Sequence, residues 1–287
     1  TPQLLSKFLA NLAEQAEHVR THYSEDTDVK ATEAHAVFRA GTIFPEMKKA
    51  EEWVESGSGS MNEGIDASVF EVLNLDYSGL TKVKRAYDAG DYYMALQELL
   101  NYYRSRTHGL NPNVDLSNVT LGTNDQRWAD YALRENDYRF YVNNYYDPNA
   151  GEDNVPYSYL KSKAVDWTVC PTGDLEQRYR VHRHQWMVPQ GKAYRTSLDE
   201  TYTTGWVTVY EDWLTNFPRP TGDVDYEADP ATQPEESREA LYAWRPIDVA
   251  YRVEDQCDLL YYFMQSTSFT PQLLSKFLAN LAEQAEH

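Results

Sequence analysis

The same eighteen residues, TPQLLSKFLANLAEQAEH, stand at both ends of this 287-residue chain, at 1–18 and at 270–287. Diverged solenoid repeats keep a pattern, lose the letters and recur along the whole chain, whereas this one occurs only at the ends. Its apolar residues follow helical spacing at positions 4, 5, 8, 9, 12 and 13. Thr1 is a candidate N-cap, and Pro2 suits the first turn. The repeat therefore predicts two identical amphipathic helices that compete for one groove.

A glycine–serine tract, SGSGS at 56–60, leads directly into Met61. Such tracts behave as flexible linkers, and a methionine directly after one reads like an earlier chain start. With the repeat, this order is typical of an engineered circular permutant that keeps a second copy of one helix; a recent natural duplication is the alternative. We divide the chain into transplanted helices at 1–57, a linker at 58–60, the original first part at 61–269 and the duplicate at 270–287. The unplaced copy is expected to mediate self-association.

Helical periodicity predominates in the rest of the chain, and strand alternation is scarce. We predict helices at 31–40, 45–55, 80–89, 91–106, 126–133, 157–164, 174–195, 199–216 and from 237 through 263. Gly41 and Gly57 are predicted helix ends, and an acidic loop is predicted at 221–235. The predicted fold class is all-α, built from helical hairpins.

Charge and composition narrow the classes of partner. The chain has 26 Lys and Arg against 45 Asp and Glu, a net charge of −19, which argues against a protein that coats nucleic acid. It has no apolar run of bilayer length, so no membrane partner is predicted. Cys170 and Cys257 stand alone, so no zinc site is indicated, although one bridge between them stays open. The first residues lack a basic segment leading into an apolar one, so we expect no signal peptide.

The stretch QRYRVHRHQW at 177–186 concentrates cations and aromatic rings. On a continuous helix, His182, Trp186 and Pro189 would share one stripe, with Arg183 beside it. An indole can stack on a sugar ring and a guanidinium can bind a carboxylate or sulfate in a fork, which favours a site for acidic sugars. A packed core with a buried His182 is the alternative. His182 and His184 would point to different helix faces, so no metal site is predicted.

A second cluster, WRPID at 244–248 followed by Arg252, admits two similar interpretations. It is either a polar and aromatic sugar site or an ion-pair network at a helix start. The candidate substrate-binding residues of the two clusters are His182, Arg183, Trp186, Lys192, Trp244, Arg245 and Arg252.

The ordered motifs LEQRYRVHRHQW, GKAYR, DETY, YAWRPIDVAYRVEDQ and SFTPQLLSKFL resemble the N-terminal helical domain of heparinase III-type heparan sulfate lyases, of the heparinase II/III superfamily. The resemblance runs from about residue 69 to the end of the sequence and resumes at residue 1, where AGTIFPE at 40–46 continues the family order. It therefore implies a circular permutation independently of the repeat. It also implies an incomplete α/α toroid without the family's β-sandwich domain, and a periplasmic or secreted parent family.

Such lyases cleave uronic-acid linkages by β-elimination, in which the carboxylate is neutralised, the C5 proton is removed and the leaving oxygen is protonated. The resemblance places the family's neutralising asparagine at Asp28, whose carboxylate would repel the uronate. It places the family's catalytic tyrosine and second histidine beyond the matching residues. We therefore expect little or no lyase activity, weak binding of sulfated glycans and no cofactor.

Overall fold

The computed structural model describes residues 1–221, 224–226, 228–229 and 232–287, and within its helices the side chains at 27–28, 235–237 and 239–240 lie outside the description. The described residues form two compact units: Thr1–Ser105 with Thr270–Ala279, and Arg106–Phe269 with Asn280–His287. The predicted acidic loop at 221–235 includes positions 222, 223, 227, 230 and 231, which lie outside the described ranges.

The first unit consists of helices and their connections. They are α1 (Pro2–Arg20), α2 (Thr27–Ile43), α3 (Ala50–Met61), α4 (Val69–Val72), α5 (Thr81–Asp88), α6 (Tyr92–Ser105) and residues 271–279 of α13 (Pro271–Ala285). Two clusters of buried side chains form a core around α2 and α3. One contains Ala16, Val37, Ala40 and Trp53, and the other contains Ala34, Phe38 and Met61.

Two glycines let α2 and α3 approach closely. A Cβ atom on Gly57 would lie 2.6 Å from the carbonyl oxygen of Ala34 and 2.7 Å from the backbone nitrogen of Phe38. A Cβ atom on Gly41 would lie 2.5 Å from the carbonyl oxygen of Ala50. Neither position has room for a side chain, so each helix brings one glycine to the backbone of the other.

The glycine–serine tract is therefore helical, and not the flexible coil that its composition predicted. α3 begins at Ala50, later than predicted, and continues through the tract to Met61, whose side chain is fully buried. Gly57 was predicted to end a helix, but it lies within one because its missing side chain allows close packing on α2. Composition indicated flexibility, and a tertiary contact overrode it.

The second unit is also mainly helical. It contains α7 (Thr123–Tyr131), a 3-10 helix (Arg134–Asn136), β1 (Leu160–Lys161), β2 (Ala164–Val165), α8 (Leu175–Val181), a second 3-10 helix (Gln185–Met187), α9 (Val188–Ser197), α10 (Glu200–Asn216), α11 (Glu235–Trp244), α12 (Pro246–Phe263) and the end of α13. The Cys170 and Cys257 thiols are both free. Among the described helices, none combines the length and the apolar character needed to cross a bilayer.

Two predicted helices in this unit are wrong. Residues 160–165 form an antiparallel hairpin in which Leu160 pairs with Val165, and Ser162 in its turn has a left-handed φ of 60°. The predicted helix at 174–195 is broken into α8, a 3-10 turn and α9, because His184 has a left-handed φ of 66°. His182 and Trp186 therefore do not share a helical stripe.

The predicted helix from 237 through 263 is interrupted at Arg245, between α11 and α12. The other helices agree with the predicted pattern, so the all-α class is confirmed over the described residues. α5, α6, α7 and α10 lie within a few residues of the predicted bounds. The carboxylate of Asp199 caps α10 by accepting a hydrogen bond from the Thr201 backbone. Local periodicity was therefore sufficient to predict these helices.

We expect substitution of the two tract glycines to have opposite effects. Gly57→Ala should lower the free energy of unfolding by about 1–3 kcal/mol, because the new methyl group would clash with the α2 backbone. A Cβ atom on Gly59 meets nothing within 4 Å, so Gly59→Ala should raise this free energy by about 0.5–1 kcal/mol through helix propensity. Urea unfolding followed by circular dichroism measures both changes. Equal effects of the two substitutions would contradict a packed, helical tract.

Candidate functional site

Two of the predicted cations meet in an ion-pair cluster at the start of α12. The Arg183 guanidinium donates through Nε to Asp248 Oδ1 at 2.5 Å, and Arg245 donates through Nε to Asp248 Oδ2 at 2.6 Å. Both guanidinium groups also reach Glu176, at 3.0 and 3.3 Å. Asp248 is fully buried. Arg180 also pairs with Glu176, at 2.9 Å, so three arginines share two carboxylates and the cluster keeps one net positive charge.

The predicted histidines are buried and neutral. His182 Nδ1 accepts a hydrogen bond from Trp213 Nε1 at 3.1 Å, and His184 lies with its Nδ1 3.4 Å from Gln256 Nε2. Burial, with a smaller contribution from the positive charge of Arg252, holds the pKa of both imidazoles well below 6.5. Neither ring carries charge at neutral pH.

The two predicted tryptophans lie in the core. Trp186 is stacked on Phe140 with ring centroids 3.7 Å apart, and its Nε1 donates to the Val181 carbonyl at 2.8 Å. Trp244 donates through Nε1 to the Phe217 carbonyl at 3.1 Å. Both side chains are almost fully buried, so neither offers an open face to a sugar ring in this conformation.

Lys192 and Asp28 lie apart from these clusters. Lys192 Nζ is 2.9 Å from Asp125 Oδ2, and this ion pair is partly exposed. Asp28 belongs to α2, but its side chain is outside the described residues. The substrate-binding role of the seven candidate residues stays a prediction, and the contacts observed for them are those of packing and ion pairing.

The remaining candidate, Arg252, is the centre of a buried polar network. Its guanidinium is fully buried and donates through Nη1 to the carbonyl oxygens of His182 and Ala243, at 2.8 and 2.7 Å. Its Cζ lies 4.7 Å from the centroid of the Trp213 ring and 5.3 Å from that of Trp244. Burial lowers the pKa of Arg252 to about 9, so the group stays charged at neutral pH.

Arg252 binds the C-terminal copy of the repeat through Gln284. Its Nε donates to Gln284 Oε1 at 2.6 Å, and Gln284 Nε2 donates to Gln256 Oε1 at 2.9 Å and to Asn280 Oδ1 at 2.6 Å. The hydroxyl of the buried Tyr210 donates to Asn280 Oδ1 at 3.3 Å. These partners form one connected network.

The sequence analysis missed Asn280, Gln284, Gln256 and Tyr210. A signal for the first two is present in the repeat, because Asn280 and Gln284 follow Phe277 by three and seven residues and so lie on its apolar helical face. A polar residue at such a position needs a buried partner. Gln256 and Tyr210 carry no comparable local signal.

The two copies of the repeat have the same local structure but opposite exposure. Thr1 Oγ1 accepts from the Leu4 backbone at 3.3 Å, and Thr270 Oγ1 accepts from the Leu273 backbone at 3.2 Å, so both helices are capped alike. In α1 the three leading apolar side chains are more than half exposed: Leu4 68%, Leu5 58% and Phe8 55%. Their counterparts in α13 are buried: Leu273 2%, Leu274 0% and Phe277 0%.

The second half of α1 is anchored within the first unit. Glu17 accepts from Arg20 at 2.6 Å, from Lys49 at 2.8 Å and from Trp53 Nε1 at 3.3 Å. The hydrogen bond with Arg20, followed by that with Lys49, lowers the pKa of Glu17 to about 2. A cavity of about 710 Å³ opens beside this anchor. α1 is therefore held at its C-terminal end, while the apolar face of its first half is open.

Comparison with known proteins identifies the protein family that the chain resembles. Residues 1–71 and residues 69–287 match the family model described as heparinase II/III N-terminus. The chain is 44% identical over 227 residues to a heparin-sulfate lyase of Bacteroides thetaiotaomicron, an alignment that covers 78% of this chain and 30% of that protein. It is 39% identical over 227 residues to a heparin-sulfate lyase of Bacteroides stercoris, with 78% and 32% covered.

Solved structures give the same result. A crystal structure of heparinase III matches with a TM-score of 0.66 at 43% identity, covering 77% of this chain and 31% of that one. A heparan sulfate lyase from Pedobacter heparinus matches with a TM-score of 0.59 at 28% identity, covering 76% and 31%. These matches confirm the family resemblance and the helical-hairpin class of the α/α toroid. The chain spans about a third of the length of these relatives.

We expect the same substitution to have different costs in the two copies. Phe277→Ala should lower the free energy of unfolding by about 3–5 kcal/mol, because it leaves a cavity at a fully buried position. Phe8→Ala should change it by no more than about 0.5 kcal/mol, since that ring is largely exposed. Denaturant unfolding of the two variants makes the comparison. A larger cost at position 8 than at 277 would show that the N-terminal copy is the buried one.

Proposed function

Because the chain belongs to the heparinase II/III family, we propose that it is an engineered, circularly permuted helical domain of a heparan sulfate lyase, and that it functions by exchange of its repeated helix. Two matches to one family model, over 1–71 and 69–287, support the permutation. The glycine–serine tract lies just before the overlap of these two matches.

The opposite exposure of two identical helices is the observation that carries this proposal. Full burial of a leucine or phenylalanine side chain contributes about 1.5–3 kcal/mol, so the three leading apolar residues together contribute on the order of 5 kcal/mol. The copies have equal intrinsic affinity for the buried position because their sequences are identical. Only their connection to the rest of the chain distinguishes them, and a difference of a few kcal/mol decides such an equilibrium.

Exchange between chains follows from the open face of α1. Its exposed Leu4, Leu5 and Phe8 are the residues that are buried at 273, 274 and 277. When α13 leaves its position in one chain, α1 of a second chain presents the same side chains to the vacated groove. Reciprocal exchange between two chains closes a domain-swapped dimer. Head-to-tail exchange gives open oligomers of increasing size. The chain is thus a module for conformational exchange and assembly.

Light-scattering chromatography over about a hundredfold range of protein concentration tests assembly, because association depends on concentration. We expect a dimer, or oligomers whose average mass rises with protein concentration. The double variant Leu5→Ser/Phe8→Ser should remain a monomer, since α1 loses two of its three exposed apolar side chains while α13 keeps all of its own. A wild-type protein of constant monomer mass, or a variant that assembles equally well, would refute assembly through α1.

The family relationship favours a second candidate function, action on or binding of heparan sulfate-like glycans. The relatives named above are heparin-sulfate lyases. Arg183 and Arg245 retain partly exposed side chains, but both are engaged in ion pairs with Asp248 and Glu176. With a net charge of −19, we expect weak binding of sulfated glycans and little or no β-elimination by this chain.

Addition of heparan sulfate, with ultraviolet detection of the unsaturated uronate, tests the second function. We expect no product from the wild-type chain or from Asp28→Asn, which restores the residue that the family resemblance implies. A heparin-sulfate lyase serves as the positive control. Product from Asp28→Asn alone would show that Asp28 blocks an otherwise competent site, and product from both would establish lyase activity.

A further inference from the structure

The two copies of the repeat differ in what surrounds an asparagine and a glutamine. In α13, Asn280 and Gln284 are buried in the polar network around Arg252. In α1 the equivalent residues, Asn11 and Gln15, are exposed. The apolar residues could be buried against any apolar groove, but this pair of amides requires specific hydrogen-bond partners.

The donors and acceptors of the network complement the side-chain amides of both Asn280 and Gln284. Gln284 accepts through Oε1 from Arg252 and donates through Nε2 to Gln256 and Asn280. Asn280 Oδ1 also accepts from Tyr210, whose hydroxyl is protonated because burial raises its pKa. The residues around α13 therefore offer hydrogen-bond donors to Asn280, from Tyr210 and Gln256. They offer Gln284 one donor, from Arg252, and one acceptor, from Gln256.

Loss of Gln284 would leave a buried charge without one of its partners. Arg252 has no exposed surface, and its Nη2 already lacks a partner among the residues that the structure describes. Removing the acceptor from Nε would leave a second donor of the same guanidinium unpaired, and a buried charged group is costly to leave unpaired. A site built to hydrogen-bond a ligand strongly rejects an analogue that lacks the bonding group.

We propose that Arg252, Gln256 and Tyr210 form a recognition site for an amphipathic helix that carries asparagine and glutamine four residues apart on its apolar face, and that a copy of the repeat must make these hydrogen bonds in order to be buried there. The inference rests on the helix exchange proposed above and names its specificity-determining residues. The site's present occupant is α13, and its competing ligand is the α1 segment, of this chain or of a second copy.

A single substitution in one copy makes the copies unequal. Gln284→Ala removes the partner of Arg252 from α13 while α1 keeps Gln15, and Gln15→Ala makes the same chemical change in the exposed copy. Limited trypsin digestion of the full-length protein, followed by intact-mass spectrometry, reports cleavage after Lys7 and after Lys276 as separate products. These lysines occupy equivalent positions in the repeat.

In the wild-type protein, we expect faster cleavage after Lys7, because α1 is the exposed copy. In Gln284→Ala, cleavage after Lys276 should accelerate and cleavage after Lys7 should slow, each by about tenfold or more, because α1 replaces α13 in the site. Gln15→Ala should keep the wild-type pattern. The double variant should also return to the wild-type order of cleavage, because its two copies are again identical.

A reversed order of cleavage at Lys7 and Lys276 cannot arise from general destabilisation, because destabilisation would accelerate cleavage at both lysines. If Lys276 stays protected in Gln284→Ala, the amide does not decide the choice. If both lysines become more sensitive, the residue is structural and the site does not accept α1. Asn280→Ala, with Asn11→Ala as its control, is a milder pair of variants should Gln284→Ala fail to fold. A reversal in a protein that remains monomeric would support the recognition site while refuting assembly between chains.

Discussion

The buried guanidinium of Arg252 organises the second unit. Its hydrogen bonds join α12 to the carbonyl oxygens that follow α8 and end α11, and to Gln284 of α13. Two indole rings enclose it, and no water-exposed surface remains. Because a buried charge must be satisfied by fixed partners, this group determines where the surrounding helix ends lie. The helical break at His184, which periodicity did not predict, lies two residues beyond one of these carbonyl groups.

The first unit depends on a different constraint, the absence of side chains at Gly41 and Gly57. These glycines bring the α2 and α3 backbones into direct contact, so apolar side chains such as Trp53 and Met61 are buried around the crossing. A tract with the composition of a linker is therefore part of a packed helix. α1 rests on this pair through Ala16 and the Glu17 cluster, and in its first half Leu4, Leu5 and Phe8 stay more than half exposed.

The candidate sugar site illustrates how far residue types can mislead. Arginine, histidine and tryptophan in one short stretch suit a glycan, but the same residue types satisfy a buried network. Spacing could not separate the two interpretations, because the outcome depends on partners far along the chain. Asp248 lies 65 residues from Arg183, and Trp213 lies 31 residues from His182. These pairings favour a buried network over an open sugar site. The family relationship keeps glycan binding as a hypothesis to test.

The sequence alone determined the helical class, the caps of α1 and α13, and the family, because these depend on periodicity, short-range hydrogen bonds and ordered motifs. It also determined that the two copies of the repeat form the same amphipathic helix. Only the tertiary structure decided which copy is buried. Burial depends on the groove that each copy reaches through its chain connection, and on the hydrogen bonds that Asn280 and Gln284 find there. Identical local sequences cannot differ in intrinsic preference, so the difference in exposure between Phe8 and Phe277 arises from their surroundings.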